Sequence, residues 1–377
     1  MIWDIFCRVI DNYGDIGVCW RLSADLAARG GQVRLWVDDA SALAWMAPGA
    51  RQGQWPGVQV LDWNAAQDPA QVAARPLADV GVEACACDIA PEFLAHGVPR
   101  YQALGDQQPV WINLEYLSAE PYVERCHGLQ SPVMQGAARG WHKTFFYPGF
   151  GPGTGGLLRE PWMQPQQQAF GAAQRQQFLQ QFTEVRNDEQ VISLFCYAPA
   201  LLPTLLRRLA DQAAPTLLLV AYGGTHKLLQ RCLADWDWPG PQTQSALRLV
   251  YLPALSQRDY DRLLLSCDLN FVRGEDSVVR ALWAGKPFVW HIYPQGDGAH
   301  APKLEAFLQR LELDPQVARM HRAWNELASE EETEAALELL CRPERATWQA
   351  GVQAARSKLL NLHDLTSALN DFVQKKR

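Results

Sequence analysis

The chain has 377 residues, more than one hydrophobic core usually serves, so two domains are expected. Hydrophobic residues make up 48% and charged residues 20%, which suits a globular fold and excludes a disordered chain. Against 41 Asp and Glu, 34 Lys and Arg leave a formal charge of -7, without the basic footprint of a general nucleic-acid binder.

The N-terminal stretch MIWDIFCRVIDNYGD has no basic leader followed by a long apolar core. No window holds the roughly 18 uninterrupted apolar residues of a membrane span, so a cytoplasmic protein is expected. Short apolar runs then recur at 2–10 (IWDIFCRVI), 32–37 (QVRLWV), 58–63 (VQVLDW), 109–114 (PVWINL) and 144–150 (TFFYPGF). Between the first two, DIGVCWRLSADLAARG carries apolar residues at helical spacing and stops at Gly30, giving a strand, helix, strand unit of a parallel sheet. After Glu160 the Pro- and Gln-rich PWMQPQQQAFGAAQRQQFLQQF marks a domain connection, with the boundary expected within 155–185. The same grammar restarts with strands at 190–196, 216–222, 247–252, 268–272 and 287–291. From about residue 300 the pattern is helical. Two doubly wound α/β domains result, and ligands of such sheets sit at strand carboxyl ends.

Five polar residues, Arg273-Gly274-Glu275-Asp276-Ser277, join the strand LNFV to the helix SVVRALWAG. At that joint Arg273 could fork onto a diphosphate, Ser277 add a hydroxyl and Glu275 accept from a ribose, beside the positive end of a helix. The plainer account is that Asp276 or Ser277 caps the helix while Arg273 pairs with Glu275. In DNYGDIG, Asp11 and Asp15 follow the first strand four residues apart. They could orient a cationic acceptor and take a proton, or serve as an Asx turn and an N-cap. Phe195 and Tyr197 share one side of SLFCY, with Gln257 and Tyr260 opening the next helix but two. These could read a pyrimidine base or pack as ordinary core.

Other motifs carry less. GPGTGG at 151–156 matches a dinucleotide fingerprint only in letters, since Pro152 interrupts it and no long helix follows; a hinge or cleft loop fits better. DWD at 235–237, and His291 or His300 singly, are weak metal candidates. Nine scattered cysteines form no metal spacing and read as buried reduced thiols; the 15 tryptophans read mainly as core.

Taken together, DNYGDIGVCWRL, INLEYLSAEPYVERCHGLQSP, PGFGPGTGGLLRE, LFCY and CDLNFVRGEDSVVRALWAGKPFVWHIYPQ resemble the elongation factor P arginine rhamnosyltransferases, the EarP family, from residue 5 to about 300. The resemblance implies a GT-B fold: two Rossmann-like domains facing a central cleft, an acceptor domain at 1–165 and a donor domain at 185–350. A helical tail follows, whose helix at about 355–377 packs back on the first domain. It implies an inverting transfer of L-rhamnose from dTDP-β-L-rhamnose to an arginine of elongation factor P, with no metal or cofactor and with neither nucleic acid nor membrane as partner. Asp15 then looks like the catalytic carboxylate and Asp11 its neighbour on the acceptor guanidinium. Phe195, Tyr197, Gln257, Tyr260, Arg273, Glu275, Asp276, Ser277 and Tyr293 would hold the donor. Where the family commonly reads P-F-L-P-Q, this chain has Pro253-Ala254-Leu255-Ser256-Gln257, so an aromatic wall is absent at 254 and Tyr260 carries more of the stacking. Two other readings remain open at this point: a nucleotide-sugar epimerase of the same architecture, and a non-catalytic partner of the translation factor.

Overall fold

The computed structural model describes residues 1–11, 13–105, 108–186, 188–236, 246–341 and 345–377. The chain forms two compact units, Met1–Glu160 with Leu362–Arg377, and Pro161–Asn361.

The first unit is built on a seven-stranded sheet: β1 (Ile2–Cys7), β2 (Gln32–Val37), β3 (Val58–Asp62), β4 (Val80–Ala84), β5 (Val110–Leu114), β6 (Gln130–Pro132) and β7 (His142–Phe146), in the order β3-β2-β1-β4-β5-β7-β6. All neighbours are parallel except β6, which pairs antiparallel with β7. Strand alternation divides β1 between two cores. Trp3, Ile5 and Cys7 face one with the helix Gly14–Ala28, and Phe6 faces the other beside Trp36 and Trp63. Asp4 shares the Phe6 face. It is tolerated there because Arg34 grips it with two hydrogen bonds of 2.6 Å and the Trp36 indole N–H donates at 2.8 Å.

The second unit holds β8 (Gln190–Leu194), β9 (Thr216–Val220), β10 (Leu247–Tyr251), β11 (Leu269–Arg273) and β12 (Phe288–His291), all parallel, in the order β10-β9-β8-β11-β12. Its helices follow from simple patterns. In Leu202–Asp211, for example, Leu202, Leu205, Leu206 and Leu209 fall on one stripe and are all buried.

The structure moves several expected boundaries. Strands β4 and β6 are additional to the apolar runs, and the run at 144–150 contributes a strand at His142–Phe146. The first unit ends at Glu160, not 165, because Glu160 pairs with Arg21, whereas Trp162 lies under Arg258 (5.2 Å) and Arg280 (5.9 Å) of the second unit. That unit extends past 350 to Asn361, since Arg356 donates to the Trp283 carbonyl at 2.8 Å. The expected single helix at 355–377 is two: Ala346–Leu360 stays with the second unit, and Leu365–Lys376 belongs to the first. In the latter, Leu365, Leu369 and Val373 repeat every four residues and enter the core of β1 and β2. Asp364 caps the helix through the Ser367 amide (2.9 Å), and Arg29 binds Asp364 (2.9 Å) and Ser367 (2.7 Å).

GPGTGG seats this segment. Leu157 bridges Asp364, Gly156 has φ +74, and a Cβ on Gly156 would lie 2.1 Å from the His363 carbonyl oxygen. The motif is therefore a packing loop of the first unit, with no nucleotide fingerprint. Gly156→Ala is expected to cost at least about 2 kcal/mol, combining left-handed strain with a backbone clash, and to lower Tm in thermal unfolding.

Candidate active site

Both sheets reverse their winding at their first strand, β1 against β4 and β8 against β11, and the loops leaving that point carry the candidate residues.

In the first unit the chain leaves β1 and enters the helix Gly14–Ala28 within a few residues, turning through a hydrogen bond from the Gly14 amide to the Asp11 carbonyl (2.6 Å). Asp15 does not cap this helix; Tyr13 holds the cap position without a side-chain bond. Asp15 lies in the first turn, and its Oδ2 reaches back to accept the amides of Ile10 (2.8 Å) and Asp11 (2.9 Å). The carboxyl is thus fixed by the loop that precedes it. A Cβ on Gly14 would meet Asp11 Oδ2 at 2.9 Å, so glycine lets the two carboxylates crowd together. Burial raises the Asp15 pKa above the ordinary aspartate value. Asp11's charge adds to the rise, while the two amides and the Cys85 thiol oppose it. Cys85 follows β4 with φ +54, and Ala86 has φ +57. The loop holding that thiol is therefore locally strained beside the carboxylate.

In the second unit no loop separates strand from helix: Arg273 ends β11 and Gly274, at φ +68, begins the helix Gly274–Ala284. The capping account does not hold. No side chain caps this helix, and Asp276 and Ser277 fall inside its first turns. Nor does Arg273 pair with Glu275, whose carboxylate binds Lys303 at 3.1 Å. Arg273 is instead clasped between aromatic rings, its guanidinium carbon 4.5 Å from the Phe195 centroid and 4.6 Å from that of Tyr197. Its Nη1 donates to the Cys196 carbonyl at 3.4 Å.

Around this clasp Tyr260 stands edge-on to Phe195 at 5.9 Å, and Tyr293, half-exposed, edge-on to Tyr197 at 5.3 Å. The Tyr260 hydroxyl is buried, which raises its pKa, and faces the Ser277 side chain, which favours its ionised form against that burial. Gln257, buried, lies one turn before Tyr260 on the same helix face. The spacing of the two helices is held by a bidentate pair, Arg280 to Asp261 at 2.9 and 2.8 Å. Phe195, Tyr197, Tyr260, Arg273, Ser277 and Tyr293 thus gather at one sheet edge, with Glu275 and Asp276 on the same helix turn.

His291 is no metal ligand. Its Nδ1 accepts the Tyr197 amide at 3.3 Å. Asp237 lies outside the described residues, and among those described no three His, Cys, Asp or Glu side chains gather as a metal set. Residue types alone did not flag Cys85, or His291 in its present role, because their significance lies in contacts distant in sequence.

A family model for the elongation factor P rhamnosyltransferase EarP matches residues 3–374. The chain belongs to the EarP family. It is 46% identical over 326 residues to a protein-arginine rhamnosyltransferase of Pseudomonas aeruginosa, covering 81% of each chain. It is 44% identical over 343 residues to one of Pseudomonas putida, covering 86% of each. A solved structure concerned with EarP-mediated arginine glycosylation of translation elongation factor EF-P aligns over 100% of this chain and 99% of that one, with TM-score 0.61 and 29% identity. A glycosyltransferase from Rickettsia africae shares the fold at TM-score 0.53 and 9% identity. The EarP member described here is accordingly a glycosyltransferase of the GT-B class, with two Rossmann-like units.

Asp15 carries a stability signature. Its pKa is higher folded than unfolded, so the folded state binds its proton more tightly and the charged form opposes folding above that pKa. Asp15→Asn should therefore raise Tm at pH 7. The gain should shrink as pH falls through the raised pKa towards the ordinary aspartate value near about 3.9, as thermal unfolding across pH will read.

Proposed function

We propose that this enzyme moves L-rhamnose from dTDP-β-L-rhamnose to an arginine side chain of translation elongation factor P, inverting the anomeric centre without a metal or other cofactor. The observation that carries the reading is Asp15: a buried carboxylate with a raised pKa, clamped by two loop amides at the sheet's switch point in a chain of the EarP family.

The acceptor sets the chemical problem. An arginine stays protonated at neutral pH with its lone pairs delocalised, so it is a poor nucleophile. A carboxylate can align one guanidinium nitrogen with the anomeric carbon and localise its charge. Asp15 takes one N–H proton as that nitrogen bonds to the carbon. The carbon–oxygen bond to the diphosphate breaks with its electron pair leaving on dTDP, and the product guanidinium keeps its single positive charge. A base with a raised pKa accepts this proton more readily than an ordinary aspartate, and Asp11 supplies a second carboxylate to the same cation. On the donor side Arg273 and Ser277 address the diphosphate, and Tyr293 adds a further phosphate contact. Glu275 and Asp276 take the ribose, and Gln257 and Tyr260 the base. Support comes from the guanidinium of Arg273, clasped between Phe195 and Tyr197, and from Tyr260 and Tyr293 standing against those two rings.

Mass spectrometry of elongation factor P after incubation with the enzyme and dTDP-β-L-rhamnose should show one added deoxyhexose on an arginine. Consumption of the donor without the factor would instead indicate epimerase chemistry, and donor binding with no addition a non-catalytic role. Asp15→Asn should lower kcat by ~10²-fold or more with dTDP binding retained; near-normal turnover would exclude Asp15 as the base. The base must be charged to act. Activity of the unmodified enzyme should therefore fall as pH drops through the Asp15 pKa, with the acid limb displaced above the ordinary aspartate value.

A further inference from the structure

The segment Phe195–Tyr197 leaves β8 under tight control. Phe195 still donates to a main-chain acceptor, the Phe271 carbonyl, at 3.0 Å. The Cys196 carbonyl takes the Thr225 hydroxyl at 3.1 Å as well as Arg273. At Tyr197 the acceptor is a side chain, Nδ1 of His291, which places the ring proton on Nε2. The two rings also meet edge-on at 5.3 Å. His291 stands beside Arg273 in the sheet register. Burial, reinforced by Arg273's charge, pushes its pKa down to about 3, so it keeps an uncharged acceptor next to a cation.

The backbone on either side of His291 is held in turn by Asn325, which ends the helix Pro315–Trp324. Its Oδ1 accepts the Ile292 amide at 3.0 Å, and its Nδ2 donates to the carbonyls of Trp290 (2.8 Å) and His321 (2.7 Å). Asn325 is buried with both ends of its amide engaged, so it clamps the end of β12 to a helix far along the chain.

We propose that His291 is a positioning residue for sugar-nucleotide binding, fixing the Tyr197 wall through its backbone amide, with Asn325 as the anchor that fixes His291. The inference rests on the reading of Phe195, Tyr197 and Arg273 as the donor site. The relay explains why an apolar-faced strand ends in a histidine, and it gives the helical region beyond residue 310 a part in binding without touching the ligand.

The test compares His291→Phe, which keeps a flat ring but removes the acceptor, with His291→Asn, which offers an oxygen near the position of Nδ1. Binding of dTDP by calorimetry and the steady-state constants for donor and acceptor are measured on the full chain, with thermal unfolding as a check on folding. His291→Phe should weaken dTDP binding and raise the donor KM by roughly fivefold to tenfold, the size of one lost hydrogen bond, with the acceptor KM unchanged. His291→Asn should recover to within about twofold of the parent, and Asn325→Ala should follow His291→Phe in direction. The proposal is overturned if the folded Asn variant is as impaired as Phe, if dTDP affinity is unchanged in His291→Phe, or if the loss appears only in the acceptor KM. Arg273→Ala serves as the control. If it binds dTDP normally, the donor-site reading falls and takes this inference with it. If it loses dTDP while His291→Phe does not, only the assignment of His291 falls.

Discussion

A parallel sheet that reverses its winding direction at one strand cannot bury the loops on both sides of that strand. The connections diverge, and the backbone groups at the carboxyl ends of the two neighbouring strands are left facing a gap. Both units of this chain have that reversal, between β1 and β4 and between β8 and β11, and each gathers its candidate site residues there. The rest of each unit serves to keep those loops still. In the first, a buried carboxylate folds back on the two amides that precede it. In the second, a guanidinium is held between two rings that are themselves tied to the sheet.

The buried charges divide by purpose. Asp4 with Arg34 and Asp261 with Arg280 are matched pairs in bidentate contact; they fix spacing between elements and leave little bonding capacity over. Asp15 is held instead by neutral donors, the Ile10 and Asp11 amides and the Cys85 thiol, beside the Asp11 carboxylate, and burial raises its pKa. Burial raises the Asp4 carboxyl as well, so what sets Asp15 apart is the kind of partner it has, neutral donors where Asp4 has a guanidinium.

Strand-and-helix grammar was readable where patterns are local: the βαβ opening, the five strands of the second unit, and the polar joint at 273–277. It failed where a strand depends on a distant partner. VGVEA at 80–84 carries a glycine and a glutamate and looks unlike a buried strand until Lys143 is seen 2.8 Å from Glu83. The capping alternative for Asp15, and for Asp276 or Ser277, fails for a similar reason. Cap preferences describe which residue types precede helices, whereas here the chain enters one helix directly from a strand and turns the other's carboxylate backwards. Arg273 and Glu275 are two residues apart, yet proximity in sequence does not pair them. Lys303 and the aromatic clasp, neither local, took those charges instead. The expectation of a particular donor and acceptor comes from the family resemblance alone, since no spacing in the chain encodes either.

The return of Leu362–Arg377 to the first unit has a consequence for biogenesis. The core around β1 and β2 lacks Leu365, Leu369 and Val373 until the whole of the second unit has been synthesised. On the ribosome, then, the unit made first is completed last. A nascent chain can have a finished donor-type unit while the layer carrying Asp15 still lacks one covering helix. Completion of the layer that carries Asp15 is thereby tied to synthesis of the helix Leu365–Lys376.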